Sequence, residues 1–244
     1  MTTYGLLGYP LSHSFSQKYF TEKFQLEGIA DCSYQNFERE DLHGLKTTLP
    51  GSLAGLNVTI PHKERILDFL DTSDQIVKAV QACNCIKIAG DKWSGFNTDV
   101  IGFQRSFSKL LKSHHTHALI LGTGGASKAV AFVLDQLNID FKFVSTSKKG
   151  DNILDYASLN QKIIQNHPVI INTTPLGTFP GIHTFPDISY DALSSHHYLY
   201  DLVYNPAKTL FLEKGERCGS VIKNGKEMLE IQAEESWKIW NSDQ

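Results

Sequence analysis

The segment from Ala118 to Leu137 constrains the fold of this chain more than any other part of the sequence. A short apolar run, Ala118 to Leu121, is followed by the turn Gly122-Thr123-Gly124-Gly125-Ala126 and then by helical spacing from Ser127 onward. A strand ending in a tight glycine turn exposes backbone N–H groups at the next helix N-terminus, where they favour a pyrophosphate. The segment therefore predicts a nucleotide-binding βα unit. The alternative is an ordinary tight turn, since Ser127 replaces the third glycine of the usual fingerprint.

The pattern around this turn predicts an α/β fold. Apolar runs at Phe141–Val144, Val169–Ile171 and Tyr198–Tyr200 are each followed by turn residues, which indicates a parallel sheet with crossover helices. Earlier in the chain, strands are predicted at 4–8 and 56–60, a helix at 14–26 in which Ser14 and Gln17 fit a capping box, and a hairpin about Gly90-Asp91. Helical patterning resumes at His62, and the last predicted helix is 225–240.

Length and charge bound the function classes. The chain has 244 residues and a net charge of −3, which fits one large α/β domain or two small ones and offers no basic field for nucleic acid. No long apolar run or leader-like start is present, so we expect a cytoplasmic protein away from membranes. The four cysteines form no CxxC pair, and reduced thiols are expected.

A histidine-rich stretch precedes the first strand of the glycine-turn unit. Lys112 to His117 contains three histidines and is the most linker-like segment of the chain. A metal site is one interpretation, but neither a carboxylate nor a cysteine lies beside these histidines. We expect a solvated connector and no metal.

The end of the second strand bears on the type of nucleotide. A site for the ribose diol of NAD requires an acidic residue about 20 residues after the glycines. Here Val144 is followed by Ser145-Thr146-Ser147-Lys148-Lys149, which contains hydroxyls and ammonium groups instead. This favours the 2′-phosphate of NADP, and the alternative is that both lysines lie on a solvated loop.

Two further segments carry polar residues whose roles their spacing leaves open. Lys63 follows Asn57-Val58-Thr59-Ile60-Pro61-His62, where a lysine is more often a surface residue than a catalyst. Asp99, in Asn97-Thr98-Asp99, could simply cap the following helix. Spacing alone does not show that the two side chains meet.

Taken together, ordered motifs along nearly the whole chain resemble the shikimate dehydrogenase family. The motifs are Gly8-Tyr9-Pro10-Leu11-Ser12-His13-Ser14-Phe15-Ser16, Asn57-Val58-Thr59-Ile60-Pro61-His62-Lys63, Ala82-Cys83-Asn84, Gly95-Phe96-Asn97-Thr98-Asp99, Gly122-Thr123-Gly124-Gly125-Ala126, Asn172-Thr173-Thr174-Pro175-Leu176-Gly177, Tyr200-Asp201-Leu202-Val203-Tyr204, and Asn224-Gly225 with Gln232. The resemblance implies NADPH-dependent, reversible reduction of 3-dehydroshikimate to shikimate in aromatic amino-acid biosynthesis.

The resemblance also implies roles for individual residues. Lys63 and Asp99 match a catalytic pair, in which we favour the ammonium as an electrostatic anchor that can also donate a proton. The matched substrate-binding positions are Ser14, Ser16, Thr59, Asn84, Tyr204 and Gln232. The matched cofactor-binding positions are Gly122, Thr123, Gly124, Gly125, Ala126, Ser145, Lys148, Leu202 and Gly225.

Several positions depart from the family pattern. The second serine is followed by Gln17 instead of proline, the glycine motif continues with Lys128 instead of arginine, and Thr178 replaces methionine. The arginine that usually follows the second strand is absent, and the nearest alignment there is Ser145-Thr146-Ser147. Because lysine cannot copy a planar, bidentate guanidinium, the preference for NADP is the expectation most exposed to test.

The expected organisation is therefore two α/β domains. Residues 1–99, completed by the C-terminal helix 224–244, form a substrate-binding catalytic domain, and residues 100–223 form a Rossmann-type NADP-binding domain, with the active site in the cleft between them. We expect a monomer or homodimer. The alternatives are a quinate/shikimate dehydrogenase that uses NAD and a non-catalytic NADP-binding regulator on the same fold.

Overall fold

The structure, a computed structural model, describes residues 1–11 and 14–242. Ser12 and His13, which belong to the first motif, lie outside the described residues. The chain divides into two compact units, one made of residues 1–98 with 232–244 and the other of residues 99–231. Each unit contains one six-stranded sheet, so the predicted α/β class with a parallel sheet is confirmed.

The sheet of the first unit is mixed. Its six strands are β1 (Thr2–Gly8), β2 (Cys32–Glu38), β3 (Leu53–Val58), β4 (Thr72–Ser73), β5 (Cys85–Ala89) and β6 (Lys92–Phe96). They lie in the order β2-β1-β3-β5-β6-β4, with β1 parallel to both of its neighbours and β5 antiparallel to both of its own. The predicted hairpin is confirmed, because Ala89 pairs with Lys92 across Gly90-Asp91. As a result, the carboxyl ends of β1, β3 and β6 meet the amino end of β5 at one edge.

The helices of the first unit cover this sheet with aromatic and aliphatic side chains. They are α1 (Phe15–Leu26), α2 (Leu45–Thr48) and α3 (Gln75–Val80). The predicted cap of α1 is confirmed, since Ser14 Oγ accepts from Gln17 N at 3.3 Å. Phe20 and Phe24 pack with Tyr4 and Trp240 in one cluster, and Trp240 Nε1 donates to Ile86 O at 3.0 Å. The helical patterning expected from His62 is found only as a 3₁₀ helix, Arg65–Phe69, which follows turn residues 63 and 64 and precedes β4.

The sheet of the second unit is parallel throughout. Its strands are β7 (His117–Leu121), β8 (Asp140–Val144), β9 (Ile153–Leu154), β10 (Val169–Asn172), β11 (Tyr198–Asp201) and β12 (Val221–Lys223). The order is β12-β11-β10-β7-β8-β9. The chain therefore reverses its direction of travel across the sheet at β7, and in such sheets ligands bind beyond the carboxyl ends at the reversal. The central strands β7, β10 and β11 are buried along nearly their whole length, as in a parallel sheet covered on both faces.

Helices α5 (Gly125–Gln136), α6 (Gln161–Asn166) and α7 (Leu210–Arg217) belong to the second unit. Two further helices, α4 (Thr98–Phe107) and α8 (Lys226–Trp240), contain the points at which the chain passes from one unit to the other. Helices α5, α6 and α7 join β7 to β8, β9 to β10 and β11 to β12, which are the crossover connections that parallel strands require.

The histidine-rich stretch 112–117 is exposed, as its polarity predicts, except at His115. His115 is only 4% exposed and stacks on Tyr198, and its Nδ1 accepts from Lys112 N at 3.1 Å. His117 is already the first residue of β7. The backbone hydrogen bond and the aromatic contact offset the loss of solvation of the buried His115 ring. Among residues 1–11 and 14–242, no group of three or more His, Cys, Asp or Glu side chains is arranged to hold a metal ion.

Candidate active site

A buried network of neutral polar side chains lies at the edge of the first sheet where β3 and β6 end. Asn84 Nδ2 donates to Thr98 Oγ1 at 3.0 Å and to Gln232 Oε1 at 3.4 Å, and Asn84 Oδ1 accepts from Thr98 N at 2.7 Å. Thr98 Oγ1 also lies 3.2 Å from Ser236 Oγ. The structure thus brings together Asn84 and Gln232, two residues that are 148 positions apart in the sequence.

The same network continues beneath α1. Asn57 Nδ2 donates to Ser236 Oγ at 2.9 Å, and its Oδ1 accepts from the Tyr34 hydroxyl at 2.9 Å. The Tyr34 hydroxyl is hydrogen-bonded in turn to Ser16, and burial raises the pKa of Tyr34. Ser16 is 8% exposed. Ser16, a predicted substrate-binding residue, is therefore connected through buried hydroxyls and amides to Asn84 and Gln232.

Thr59 and Lys63 lie just beyond the end of β3. Thr59 N donates to Leu7 O at 2.8 Å, and a Cβ added to Gly8 would come within 2.3 Å of the Thr59 methyl, so β1 must end in glycine here. Lys63 is half-buried, and its carbonyl accepts from Cys83 N at 2.8 Å. This backbone bond ties the Lys63 turn to the segment that carries Asn84. Ser14 lies at the N-terminus of α1 on the same sheet edge, after β1.

In the second unit, the glycine turn joins β7 to α5 as predicted. Gly122 has φ +111°, which side chains rarely allow, and a Cβ there would also meet Thr173 Oγ1 at 2.8 Å. Gly124 is the N-cap of α5, with open space where a Cβ would lie. The turn therefore leaves the first N–H groups of α5 without a capping side chain, which is the arrangement that suits an anion.

The end of β8 supplies cationic and hydroxyl groups beside this turn. Ser145 Oγ accepts from Ser147 N at 3.3 Å and from Lys148 N at 3.0 Å, which folds the loop back. Lys148 Nζ donates to Thr123 O at 3.1 Å, so the ammonium lies over the glycine turn. The donors here are N–H groups, hydroxyls and an ammonium. This donor set fits the phosphates of NADP and contains no carboxylate for a ribose diol.

Leu202 and Gly225, both predicted to bind the cofactor, are in direct contact. A Cβ on Gly225 would come within 2.1 Å of Leu202 O, and Gly225 N donates to Val203 O at 3.2 Å. Only glycine allows this approach of two backbone segments. Tyr204 is half-buried two residues further along, and Asp99 is 7% exposed in the first turn of α4.

Three strand ends of the second sheet form one continuous edge. Leu121 O accepts from Thr173 N at 2.9 Å, and Asn172 O accepts from Leu202 N at 2.9 Å. The glycine turn, the loop after β10 and the Leu202 loop are therefore neighbours. The arrangement offers an anion site at one end and a tightly packed backbone surface at the other.

Sequence reasoning missed several residues of these two sites. In the first unit they are Tyr34, Asn57, Thr98 and Ser236, and in the second they are Asn172, Asp201 and Thr209. Ser236 carried a usable signal, because it lies four residues after Gln232 and so shares its helix face. Tyr34 carried none, since β2 was not predicted.

The fold and the two sites define a class of protein: an α/β chain with a dinucleotide-type parallel sheet and a second sheet edged with amides and hydroxyls. A family model described as the shikimate dehydrogenase substrate binding domain matches residues 6–86. A shikimate dehydrogenase (NADP(+)) from Caldicellulosiruptor saccharolyticus is 36% identical over 253 residues, covering 96% of this chain and 90% of the relative.

Solved structures agree with the sequence comparison. Shikimate dehydrogenase 1 from Peptoclostridium difficile superposes with a TM-score of 0.86 at 33% identity, covering 98% of this chain and 91% of that one. A shikimate dehydrogenase in complex with NADP+ gives a TM-score of 0.82 at 28% identity, covering 99% and 90%. This chain belongs to the shikimate dehydrogenase family, which confirms the resemblance read from its motifs.

Proposed function

We propose that the protein is an NADP-dependent shikimate dehydrogenase that reversibly reduces 3-dehydroshikimate to shikimate in aromatic amino-acid biosynthesis. The observation that carries the proposal is the buried network at the edge of the first sheet, in which Asn84 and Gln232 meet. A polyol substrate presents several hydroxyls that both donate and accept, and amides and hydroxyls match them group for group.

The ring hydroxyls and the carboxylate of the substrate fall to different residues in this proposal. Thr59, Asn84, Gln232 and Tyr204 bind hydroxyls or the carboxylate. Ser14 and Ser16 bind the carboxylate at the N-terminus of α1, where the helix dipole favours negative charge. In this proposal Ser14 both binds the carboxylate and caps the helix.

Lys63 and Asp99 act at the reacting carbonyl group in this proposal. When bound, NADPH supplies the hydride that reduces the ketone. The Lys63 ammonium stabilises the negative charge that develops on the ketone oxygen, and it can donate a proton to that oxygen. The Asp99 carboxylate accepts a hydrogen bond from a substrate hydroxyl and balances the charge of the ammonium.

The cofactor is held by groups of the second unit. The glycine turn 122–126 binds the pyrophosphate through backbone N–H groups, and Lys148 with Ser145 binds the 2′-phosphate. Leu202 and Gly225 border the nicotinamide. We assign substrate binding to residues 1–99 with 224–244 and NADP binding to residues 100–223.

The setting of the enzyme completes the proposal. In the part of the chain that the structure describes, no helix is long and apolar enough to cross a membrane. We place the enzyme in the cytoplasm, acting on a small molecule as a monomer or homodimer, without nucleic acid as a partner.

The test is shikimate oxidation followed at 340 nm with NADP+ and, separately, with NAD+. We expect turnover with NADP+ and a lower kcat/KM with NAD+. Equal or NAD-favouring values with activity on quinate would instead identify a quinate/shikimate dehydrogenase. NADP+ binding without turnover of either acid would indicate a non-catalytic regulator and overturn the proposal.

A further inference from the structure

We propose that Asp201 is a positioning residue for the nicotinamide end of the cofactor, through its buried carboxylate, which fixes the backbone of the Leu202–Tyr204 loop. The inference rests on the proposed function, because it assumes that this loop borders bound NADP. Asp201 is not among the residues predicted to touch substrate or cofactor, and it acts through its neighbours.

The Asp201 carboxylate joins three separate segments of the second unit. Asp201 is the last residue of β11 and is fully buried. Its Oδ1 accepts from Asn172 Nδ2 at 2.9 Å and from Val203 N at 3.0 Å, and its Oδ2 accepts from Thr209 Oγ1 at 2.5 Å. Three donors therefore converge on one anion: one on β10, one in the loop after β11 and one at the N-cap of α7.

These bonds determine where the neighbouring backbone lies. Val203 N is held by the carboxylate, while Val203 O accepts from Gly225 N at 3.2 Å. Leu202 O packs so closely on Gly225 that a Cβ there would lie 2.1 Å away. A change in the position of Val203 would therefore move the Leu202–Gly225 contact.

The loop after β10 depends on the same centre. Asn172 Oδ1 accepts from Thr174 N at 3.1 Å and from Thr174 Oγ1 at 2.6 Å, and its Nδ2 is shared between Asp201 and Leu176 O. Asn172 is thus oriented by the carboxylate on one side and orients Thr174 on the other. Both loops at this end of the sheet are fixed by one side chain.

The glycine turn is held by other groups. Its hydrogen-bonded neighbours are Thr173, which bonds to Leu121 O, and Lys148 after β8, and neither bonds to Asp201. The Thr174 methyl also lies beside Gly122 and is connected to Asp201 only through Asn172. Loss of the Asp201 carboxylate is therefore expected to disturb the nicotinamide end and to leave the adenine end in place.

Burial of the Asp201 carboxylate carries a desolvation penalty. Burial raises the pKa of Asp201 to about 6, against the three hydrogen bonds that lower it. A carboxylate accepts at both oxygens, so it satisfies three donors that a neutral amide would satisfy only in part.

The test compares binding of whole NADP+ with binding of 2′,5′-ADP, a fragment that lacks the nicotinamide, by isothermal titration calorimetry. For Asp201→Ala we expect NADP+ to bind about tenfold more weakly, the loss typical of one hydrogen bond to a charged group, while 2′,5′-ADP changes less than twofold. Asp201→Asn, which keeps the shape and most of the hydrogen bonds, should lose about threefold for NADP+ alone.

Leu159→Ala is the matched control, because Leu159 is a buried member of the apolar core of the same unit. It should lower the melting temperature and leave both dissociation constants unchanged. Equal weakening of NADP+ and 2′,5′-ADP by the Asp201 variants, or no weakening in a folded Asp201→Asn protein, would overturn the positioning role. Failure of the proposed function would show differently, as a wild-type protein that does not oxidise shikimate.

Discussion

The candidate sites of the two units are built from different parts of the chain, side chains in the first unit and backbone in the second. At the edge of the first sheet, side chains from distant elements make the site: Asn84 precedes β5, Thr98 starts α4 and Gln232 lies on α8. At the edge of the second sheet, the backbone does most of the work, through Gly122 at positive φ and the close contact of Gly225 with Leu202. The glycine turn can therefore be encoded by a local motif, whereas the Gly225–Leu202 contact and the side-chain site need tertiary folding.

The largest expected effect tests the one cation assigned to the first site. Lys63→Met roughly keeps side-chain length and removes the charge. Because an ammonium interacts more strongly with a developing alkoxide than with the ground-state ketone, kcat should fall by about 10²–10³, with a much smaller change in the dissociation constant for shikimate. Kinetics at saturating NADP+ and a shikimate titration by fluorescence measure both quantities.

Lys18→Met is the matched control, because the Lys18 side chain is 80% exposed on the same unit. It should change neither quantity. Asp99→Asn should also lower kcat, and the double variant should lose less than the product of the single losses, since groups acting as a unit are not additive. Weaker shikimate binding with unchanged kcat in Lys63→Met would make Lys63 a substrate anchor instead.

The next effect separates binding from stability within the first site. Ser16→Ala should weaken shikimate binding about tenfold, since a hydrogen bond to a charged group contributes roughly 1.5–3 kcal/mol. Its melting temperature should change little, because the Tyr34 hydroxyl keeps its bond to Asn57. Calorimetry and thermal unfolding give the two numbers.

Ser14→Ala makes the contrast, since Ser14 caps α1. It should lose about 1 kcal/mol of stability in addition to weakening shikimate binding. If Ser16→Ala unfolded easily and kept its KM for shikimate, the network would be purely structural.

A smaller effect concerns the cofactor site of the second unit. Lys148→Met should raise the KM for NADP+ several-fold and that for NAD+ much less, because an ammonium contributes to phosphate binding mainly through its charge. Lys149→Met is the control for a neighbouring charge and should have less effect, since Lys148 is the residue that bonds to Thr123 O. Similar rises for both cofactors would mean that Lys148 only supports the loop.

The smallest effect concerns stability at low pH, and it too belongs to the second unit. Burial lowers the pKa of His115 to about 4, with a further lowering from His114, and burial also lowers the pKa values of His167 and His197. Unfolded histidines take up protons near pH 6.5, whereas these buried rings do not. The stability that these uncharged rings contribute is therefore fully present above pH 6.5 and is lost as the pH falls toward 4.

His115→Gln should reduce that loss. Between pH 7.5 and pH 5 we expect its melting temperature to fall by roughly 3 °C less than that of the wild type. Asp201 changes stability in the opposite direction. Its pKa is raised in the folded protein, so as the pH falls the folded state binds this proton at a higher pH than the unfolded chain does. His183→Gln, at an exposed position of the same unit, should follow the wild type.

Much of the fold could be predicted because its signals are local. The cap of α1, the hairpin about Gly90-Asp91 and the parallel strands after the glycine turn each depend on a few neighbouring residues. The strand β2 and the turn at residues 63–64 were missed, since β2 is half polar and the turn is held by a hydrogen bond from Cys83 N to Lys63 O. The roles of the individual site residues stay predictions until the variants are measured.

By itself, the sequence determined the family, the α/β class and the glycine turn, because positive φ, helix capping and hydrophobic period are properties of short segments. Tertiary structure alone decided that Ser16, Tyr34, Asn57, Ser236 and Asn84 share one network, that His115 is buried, and that Asp201 receives three donors. These are relations between residues far apart in the chain. Their energies depend on burial and on hydrogen-bond geometry, which exist only once the sheets and helices have packed.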